Sequence, residues 1–264
     1  MAVLHALAVP ASPAAHLVCF PHAGGRADFY SPWLEHLPAY VAMSAAEYPG
    51  RGNRGGDPVA AGITALAEEV VAALEPAGRA RIPLVLFGHS MGALVAFEVA
   101  LRLPRPAATV IVSSMPAPRL LRSRAPLPSC EDEVWDHAHS LGGIPDKVHS
   151  NRLLRRLTLP VLRADYSLVN RYRYTPGTVI PSPIVACHAV DDPITEAWQM
   201  SAWQKLTTAG FELKSFIGGH FYLSSTWRTF TGSLLPALRP SAVPAQRGES
   251  SALSPNVTQI SESL

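Results

Sequence analysis

Cysteine is scarce in this sequence, and neither sign of charge is in excess. The three cysteines, Cys19, Cys130 and Cys187, lie far apart and form no Cys-x-x-Cys pair. Because zinc sites and disulfide frameworks need paired or numerous cysteines, this spacing argues against both and favours reduced thiols in a cytoplasmic protein. The net charge is +2, from 22 basic and 20 acidic residues. Such a balance argues against a nucleic-acid-binding protein, which needs a basic surface.

Long hydrophobic runs are also missing. No stretch of about 18 uninterrupted apolar residues occurs, so the sequence predicts no membrane span. The first ten residues, MAVLHALAVP, are apolar, but they lack a positively charged start and Pro10 ends the run, which argues against a secretion signal. The hydrophobic content of 48% is enough for a sizeable core, so we predict a globular protein.

Short apolar runs alternate with longer helical patterns through most of the chain. The predicted strands lie at residues 16–20, 41–48, 84–87, 108–113, 183–189 and 211–216. The predicted helices lie between and after them, with the first at 29–37, the second at 62–74 and the last at 225–238. This alternation is typical of an α/β protein with a mostly parallel sheet and helices on both of its faces.

A long segment between two predicted strands interrupts the alternation. Residues 115–178 are helical in their later part, and Ser129 with Asp132 predicts a capping box at the start of one helix. We interpret this segment as a helical lid inserted into a single domain of residues 1–238. The apolar stripe within it is interpreted as core packing rather than substrate contact; its members are Leu162, Tyr166, Val169 and Tyr172. Residues 239–264 are rich in serine and proline, which predicts a disordered tail.

The sequence Gly88-His89-Ser90-Met91-Gly92 lies where a predicted strand gives way to a predicted helix. In the G-x-S-x-G pattern the serine occupies a strained corner that exposes its hydroxyl at the end of the sheet. The glycines are needed because a side chain at either position would collide with the neighbouring strand or helix. The Met91 N–H and the dipole of the following helix can stabilise an oxyanion at the same place.

A serine nucleophile on such a turn needs an acid and then a histidine later in the chain. The stretch Val190-Asp191-Asp192-Pro193 follows one predicted strand, and Gly218-Gly219-His220 follows the next. Both loops come at the carboxyl ends of strands, where open parallel sheets bind ligands. Each residue alone is more often an ordinary turn residue. Ser90, one of the two aspartates and His220, in this order, together predict a catalytic triad.

Six segments between residues 16 and 238 carry a resemblance to a known family. They are CFPHAGG (19–25), YPGRGNR (48–54), FGHSMGALVAFEVA (87–100), LPVLRADYSLVNRYRY (159–174), DDP (191–193) and GGHFYL (218–223). The chain resembles the discrete type II thioesterases that accompany polyketide and nonribosomal peptide synthases. FPHAGG, PGRG and GGHF in one chain are far more specific than G-x-S-x-G alone.

The resemblance implies an α/β-hydrolase fold with Ser90, His220 and Asp192 as the triad, and with Asp191 as the fallback for the acid. It also implies that the backbone N–H groups of Met91 and Ala23 form the oxyanion hole. The chain departs from the family at His188, where a glycine is usual and a bulkier residue could shift the acid loop. The stretch GNRGGDP is also richer in glycine than is usual.

The implied reaction is hydrolysis, through an acyl-enzyme, of acyl thioesters on the phosphopantetheine arm of carrier proteins. Such an enzyme would clear stalled or mis-primed groups in polyketide, nonribosomal peptide or antibiotic biosynthesis. Its implied partners are the acyl or peptidyl carrier protein domains of a synthase, and no metal or dissociable cofactor is implied. The same triad would serve an esterase, lactonase or amidase acting on a free small molecule. A catalytically inactive binding domain is a further alternative, although it would be expected to lack one of the three residues.

Overall fold

A seven-stranded sheet forms the centre of the fold in residues 2–74 and 82–239, which are the residues described in this computed structural model. Its strands are β1 (Leu4–Ala8), β2 (Ala15–Phe20), β3 (Val41–Ala46), β4 (Leu84–His89), β5 (Thr109–Ser113), β6 (Ile184–Ala189) and β7 (Phe211–Phe216). They lie in the order β1-β3-β2-β4-β5-β6-β7, with β1 antiparallel to β3 and the other neighbours parallel. The predicted mostly parallel sheet is therefore confirmed.

Helices cover both faces of this sheet. The α-helices are α1 (Ile63–Leu74), α2 (Met91–Arg102), α3 (Glu131–Ser140), α4 (Asp146–His149), α5 (Arg152–Arg171), α6 (Ala197–Ser201) and α7 (Trp227–Leu234). Short 3-10 helices lie at Ala27–Glu35, Gly52–Arg54, Pro118–Ser123, Ala202–Leu206 and Tyr222–Ser224. Val18 of β2 packs in the apolar cluster with α1 and α2, whereas Leu17 packs in the cluster on the other face with α7. Because both faces are covered, β2 is buried along its whole length.

The segment predicted as a helical lid contains α3, α4 and α5. Trp135 of α3 packs with Leu162 and Tyr166 of α5 in a separate small apolar cluster. Val169 and Tyr172, the other members of the apolar stripe, pack in the cluster shared with α1 and α2. The stripe is therefore core packing, as predicted, and it joins the lid to the sheet domain.

The helix predicted at 29–37 is present as a 3-10 helix at Ala27–Glu35 that contains Pro32, which has no N–H to donate within an α-helix. One local prediction is wrong. The capping box predicted from Ser129 is not formed, because α3 begins only after Cys130 and no side chain caps it. The Asp132 carboxylate instead pairs with Arg155 of α5. Three acidic residues lie in the first turn of α3, where their negative charge interacts favourably with the positive end of the helix dipole.

Some predictions can be tested only within the described ranges. Residues 240–264 of the predicted tail lie outside them, so the tail and the domain boundary at 238 stay predictions. Among residues 2–74 and 82–239, no helix combines the length and the apolar character needed to cross a membrane. The three cysteines are free thiols; Cys19 and Cys187 are buried and Cys130 is exposed.

Candidate active site

Ser90 stands at the junction of β4 and α2, the position predicted for a nucleophile. Its backbone has φ 53° and ψ −123°, on the positive-φ side that residues other than glycine rarely occupy. The Ser90 N–H donates to the carbonyl of Ser113 at the end of β5, over 2.8 Å, and this bond holds the turn against the sheet. Backbone strain that the surrounding structure maintains is typical of functional positions.

Gly88 and Gly92 allow this turn because their surroundings leave no room for a Cβ. A Cβ on Gly88 would lie 2.1 Å from the carbonyl O of Gly92, and a Cβ on Gly92 would lie 1.9 Å from the carbonyl O of Phe20. Both obstacles are backbone atoms, which cannot rotate aside as a side chain could. The predicted collision is confirmed: Gly88 faces the helix, and Gly92 faces the end of β2.

Replacing Gly92 with alanine is expected to lower the free energy of unfolding by about 3 kcal/mol or more, because α2 and β2 would have to separate. Thermal unfolding followed by circular dichroism measures the loss. Gly232→Ala in α7 is the matched control, since a Cβ there meets nothing within 4 Å and alanine favours a helix over glycine by about 1 kcal/mol. Equal melting temperatures for the two variants would contradict this interpretation.

His220 and Asp192 lie in the loops after β7 and β6, and they are hydrogen-bonded. His220 Nδ1 is 2.9 Å from Asp192 Oδ2, and both side chains are buried. Asp192 also accepts from the hydroxyl of Thr195 (2.6 Å) and from the N–H of Ile194 (3.0 Å). The neighbouring Asp191 is exposed. Of the two aspartates that the residue pattern leaves open, the structure brings Asp192 to His220.

The surroundings of Asp192 favour its ionised form. Burial by itself would raise the pKa of this carboxyl, but the hydrogen bonds from His220, Thr195 and Ile194 outweigh burial and lower the pKa from its ordinary value of 3.8. Asp192 is therefore an anion at neutral pH. An anion beside Nδ1 keeps a proton on that nitrogen and leaves Nε2 of His220 as the basic one.

His188, where the sequence departs from the family pattern, lies in β6 four residues before Asp192. Its side chain is buried, and its Nδ1 has no hydrogen-bond partner. Asp192 nevertheless reaches His220 at hydrogen-bond distance. The bulkier residue therefore does not move the acid loop out of reach.

Three histidine rings meet where the loops converge. The ring of His89, beside Ser90, has its centroid 5.1 Å from that of His220 and 6.0 Å from that of His22. The ring of Phe221 contacts all three. Since His22 follows β2, His89 ends β4 and His220 follows β7, these contacts hold the carboxyl ends of three strands at one place.

Two of these histidines are neutral at physiological pH. Burial, with smaller contributions from His220 and Arg51, lowers the pKa of His22 to about 3. Burial, assisted by His220 and His22, lowers the pKa of His89 well below its ordinary value. In both cases the cause is that a buried imidazolium loses its hydration. Neither ring therefore brings a positive charge to the site.

Sequence reasoning missed a buried polar chain beneath Ser90. His89 Nδ1 lies 2.9 Å from the hydroxyl of Ser113, which lies 2.9 Å from the hydroxyl of Tyr222. Tyr222 comes two residues after His220, so the chain links the histidine loop to the serine turn. The place of Tyr222 in the GGHFYL segment is the sequence feature that could have indicated this residue, but no local pattern pairs Tyr222 with Ser113.

Met91 and Ala23 lie at the same edge of the sheet. The Met91 N–H is the first amide of α2, so no preceding helical turn accepts a bond from it. Ala23 lies in a turn that Gly25 closes by donating its N–H to the carbonyl of His22, over 2.9 Å. Because Gly92 packs against the end of β2, the start of α2 and the turn after β2 are close neighbours.

Among the described residues, no group of three or more histidine, cysteine, aspartate or glutamate side chains is arranged so that it could hold a metal ion.

Comparison with known proteins relates this geometry to a family. Residues 15–234 match the family model described as "Thioesterase domain". The probable cadicidin biosynthesis thioesterase of Streptomyces griseus is 34% identical over 236 residues, which are 88% of this chain and 65% of that protein. Thioesterase PikA5 of Streptomyces venezuelae is 36% identical over 222 residues, which are 81% of this chain and 77% of that protein. The aligned region thus spans slightly under two thirds of the first relative and over two thirds of the second.

A solved structure shows the same similarity in three dimensions. The type II thioesterase BorB from the borrelidin biosynthetic cluster superposes with a TM-score of 0.77 and 33% sequence identity. The superposition covers 89% of this chain and 97% of that one. The expected α/β-hydrolase fold, with its sheet and helices, is confirmed by this likeness.

Proposed function

This chain belongs to the thioesterase family and is a serine hydrolase that cleaves thioesters, and on that premise we propose that its substrates are acyl groups on the phosphopantetheine arm of carrier proteins. One similar protein is named for cadicidin biosynthesis, and another is a type II thioesterase from the borrelidin biosynthetic cluster. We propose that this chain serves a polyketide or nonribosomal peptide synthase in the cytoplasm. Its task there is to remove stalled or mis-primed acyl groups.

The observation that carries the proposed mechanism is the buried His220–Asp192 pair, whose imidazole lies beside the ring of His89, the residue next to the strained Ser90. His220 Nε2 takes the proton of the Ser90 hydroxyl as the oxygen attacks the thioester carbonyl. Collapse of the tetrahedral intermediate breaks the C–S bond, and the proton on His220 passes to the departing thiolate. Water then attacks the acyl-serine with His220 again as base, which releases the free acid and restores Ser90.

The oxyanion of each tetrahedral intermediate receives hydrogen bonds from the N–H groups of Met91 and Ala23. Such donors act best when they are fixed before the reaction begins, because no reorganisation is then needed as charge develops. The amide at the start of α2 also benefits from the helix dipole. Asp192, held ionised, orients His220 and stabilises its charged form. No metal or dissociable cofactor takes part in this scheme.

Intact mass spectrometry of an acetyl- or propionyl-loaded carrier protein tests the proposal. We expect wild-type protein to regenerate the free phosphopantetheine thiol and Ser90→Ala to leave the acyl group in place. The comparison of kcat/KM for the loaded carrier and for a soluble ester of the same acyl group separates the carrier enzyme from an esterase. If the carrier stays loaded with both proteins while the ester is cleaved, the enzyme acts on free small molecules instead.

A further inference from the structure

The lid helix α5 reaches the turn that contains Ala23 through one buried carboxylate. Asp165 Oδ2 accepts the N–H of Gly24 over 2.7 Å, although the two residues are 141 positions apart in the chain. The same carboxylate is held by Arg51 of the PGRG segment, with Nη1 2.7 Å from Oδ2 and Nη2 2.7 Å from Oδ1. The Asp165 side chain is 2% exposed and that of Arg51 is 6% exposed. This bidentate ion pair is therefore buried between the lid and the sheet domain.

The turn around Ala23 has a defined conformation. It runs from His22 to Gly25, is closed by the Gly25 N–H on the His22 carbonyl, and has Gly24 at φ +75° in its third position. These are the features of a type II turn, which differs from type I by a rotation of about 180° of its central peptide. That peptide joins Ala23 to Gly24, and its N–H is the group that Asp165 accepts. The carboxylate therefore selects one of the two orientations.

Arg51 completes the arrangement from the other side. Its Nη1 also donates to the carbonyl of Gly25 over 3.1 Å, so the pair holds the turn at two successive residues. Arg51 neutralises Asp165 as well, because a lone carboxylate at this place would oppose a developing oxyanion. The bidentate fork fixes direction as well as distance, as is typical of arginine with a carboxylate.

We propose that Asp165 is a positioning residue for the oxyanion hole, which it aligns from the lid by fixing the Ala23–Gly24 peptide. The inference rests on the proposed role of the Ala23 N–H. The Ala23 N–H belongs to the same four-residue turn, which the Asp165–Arg51 pair holds at Gly24 and Gly25. Loss of the Asp165 carboxylate therefore releases the turn and misplaces the donor. The lid helix and the oxyanion hole are thereby assembled as one unit.

The variant Asp165→Asn tests this proposal, because it keeps the size of the side chain but replaces one of the two acceptor oxygens with an NH2 donor. The Gly24 N–H and both Arg51 nitrogens then no longer all find an acceptor. We expect kcat for an acyl thioester of N-acetylcysteamine to fall about 10²-fold, as for a small misplacement of a catalytic group, with KM within about threefold of wild type. The shape of the pH profile of kcat/KM is expected to stay as in wild type, because Asp165 does not contact the His220–Asp192 pair. The rate at which a fluorophosphonate labels Ser90 should fall in parallel.

Tyr172→Phe, at the residue that follows the end of the same helix, is the matched control. The Tyr172 hydroxyl donates to Glu98 Oε1 over 2.6 Å and is buried, so its loss also weakens the attachment of α5 but leaves the turn at Ala23 untouched. We expect its kcat and labelling rate to stay within about threefold of wild type. Should Asp165→Asn fail to fold, Gly24→Ala carries the same test, since it disfavours φ +75° and keeps the ion pair.

The outcomes separate this inference from the proposed function. A large fall in kcat and in labelling rate for Asp165→Asn, absent in Tyr172→Phe, supports the positioning role. Equal kcat in the two variants, or a rise in KM with kcat unchanged, overturns it. Failure of the proposed function shows differently, as wild-type protein that labels at Ser90 and cleaves the small thioester but does not unload a carrier protein.

Discussion

Replacing Ser90 with alanine is expected to lower kcat for thioester hydrolysis about 10⁶-fold, the effect seen when a serine hydrolase loses its nucleophile. The reason is that no other hydroxyl occupies the turn between β4 and α2, so the acyl-enzyme cannot form. KM is expected to change little, because alanine leaves the walls of the site intact. Single-turnover hydrolysis and the absence of a fluorophosphonate adduct measure the loss.

Ser114→Ala provides the matched control. Ser114 also has positive φ, at 49°, and also follows a strand of the sheet. Its hydroxyl is buried and has no hydrogen-bond partner, so its removal is expected to leave kcat within about threefold of wild type. A comparable loss in both variants would mean that Ser90 acts through the fold and not as the nucleophile.

Asp192→Asn is expected to lower kcat about 10⁴-fold, as the corresponding change does in other serine hydrolases. The asparagine amide can donate to Nδ1 of His220, which would place the histidine proton on Nε2 and remove the base that Ser90 needs. Asp191→Asn is the control, because Asp191 is exposed and its kcat is expected to stay near that of wild type. If Asp191→Asn showed the larger loss, the acid would be assigned to the wrong aspartate.

The lowered pKa of Asp192 also predicts how stability depends on pH. A carboxyl with a lower pKa in the folded state than in the unfolded state contributes stability at pH values above its ordinary pKa of 3.8. That contribution is lost as the pH falls through the lower folded-state value. We therefore expect the free energy of unfolding of wild type to fall more steeply below about pH 4 than that of Asp192→Asn.

Urea unfolding of the two proteins from pH 7 down to pH 3 measures this difference. Carboxylates remote from the site titrate equally in both, so the difference between the two curves reports on Asp192 and its partner His220. Parallel curves would show that the hydrogen bonds to Asp192 do not favour its ionised form.

Local patterns in the sequence were sufficient for most of the sheet. Buried parallel strands are short continuous apolar runs, and five of the seven strands are visible in this way. The strand β7 (Phe211–Phe216) is visible instead as an alternating run at the edge of the sheet. The strand β1 (Leu4–Ala8) was not predicted, because it lies at the edge of the sheet, antiparallel to β3, and its exposed and half-buried residues do not alternate. The helix predicted at 29–37 is present at Ala27–Glu35, but its 3-10 form was not predicted; Pro32 within it has no N–H to donate.

The candidate site likewise has a part that the sequence predicts and a part that it leaves open. The positions of Ser90 and His220 follow from the sequence, because a glycine-flanked serine after a strand and a histidine after a later strand are local features. Which aspartate meets His220 depends on how the loop after β6 turns, and that orientation is set by the bonds to Thr195 and Ile194.

By itself, the sequence determined the α/β class, the serine turn and the order of the three candidate catalytic residues, because each follows from short patterns of neighbouring residues along the chain. Only the tertiary structure decided that Asp165 of the lid accepts from Gly24 and that Tyr222 reaches Ser113, pairs separated by 141 and 109 positions. Such contacts depend on how whole elements pack, and no periodicity along the chain encodes them. The physical reason is that burial selects hydrogen-bond partners by their position in space, without regard to their distance in the sequence.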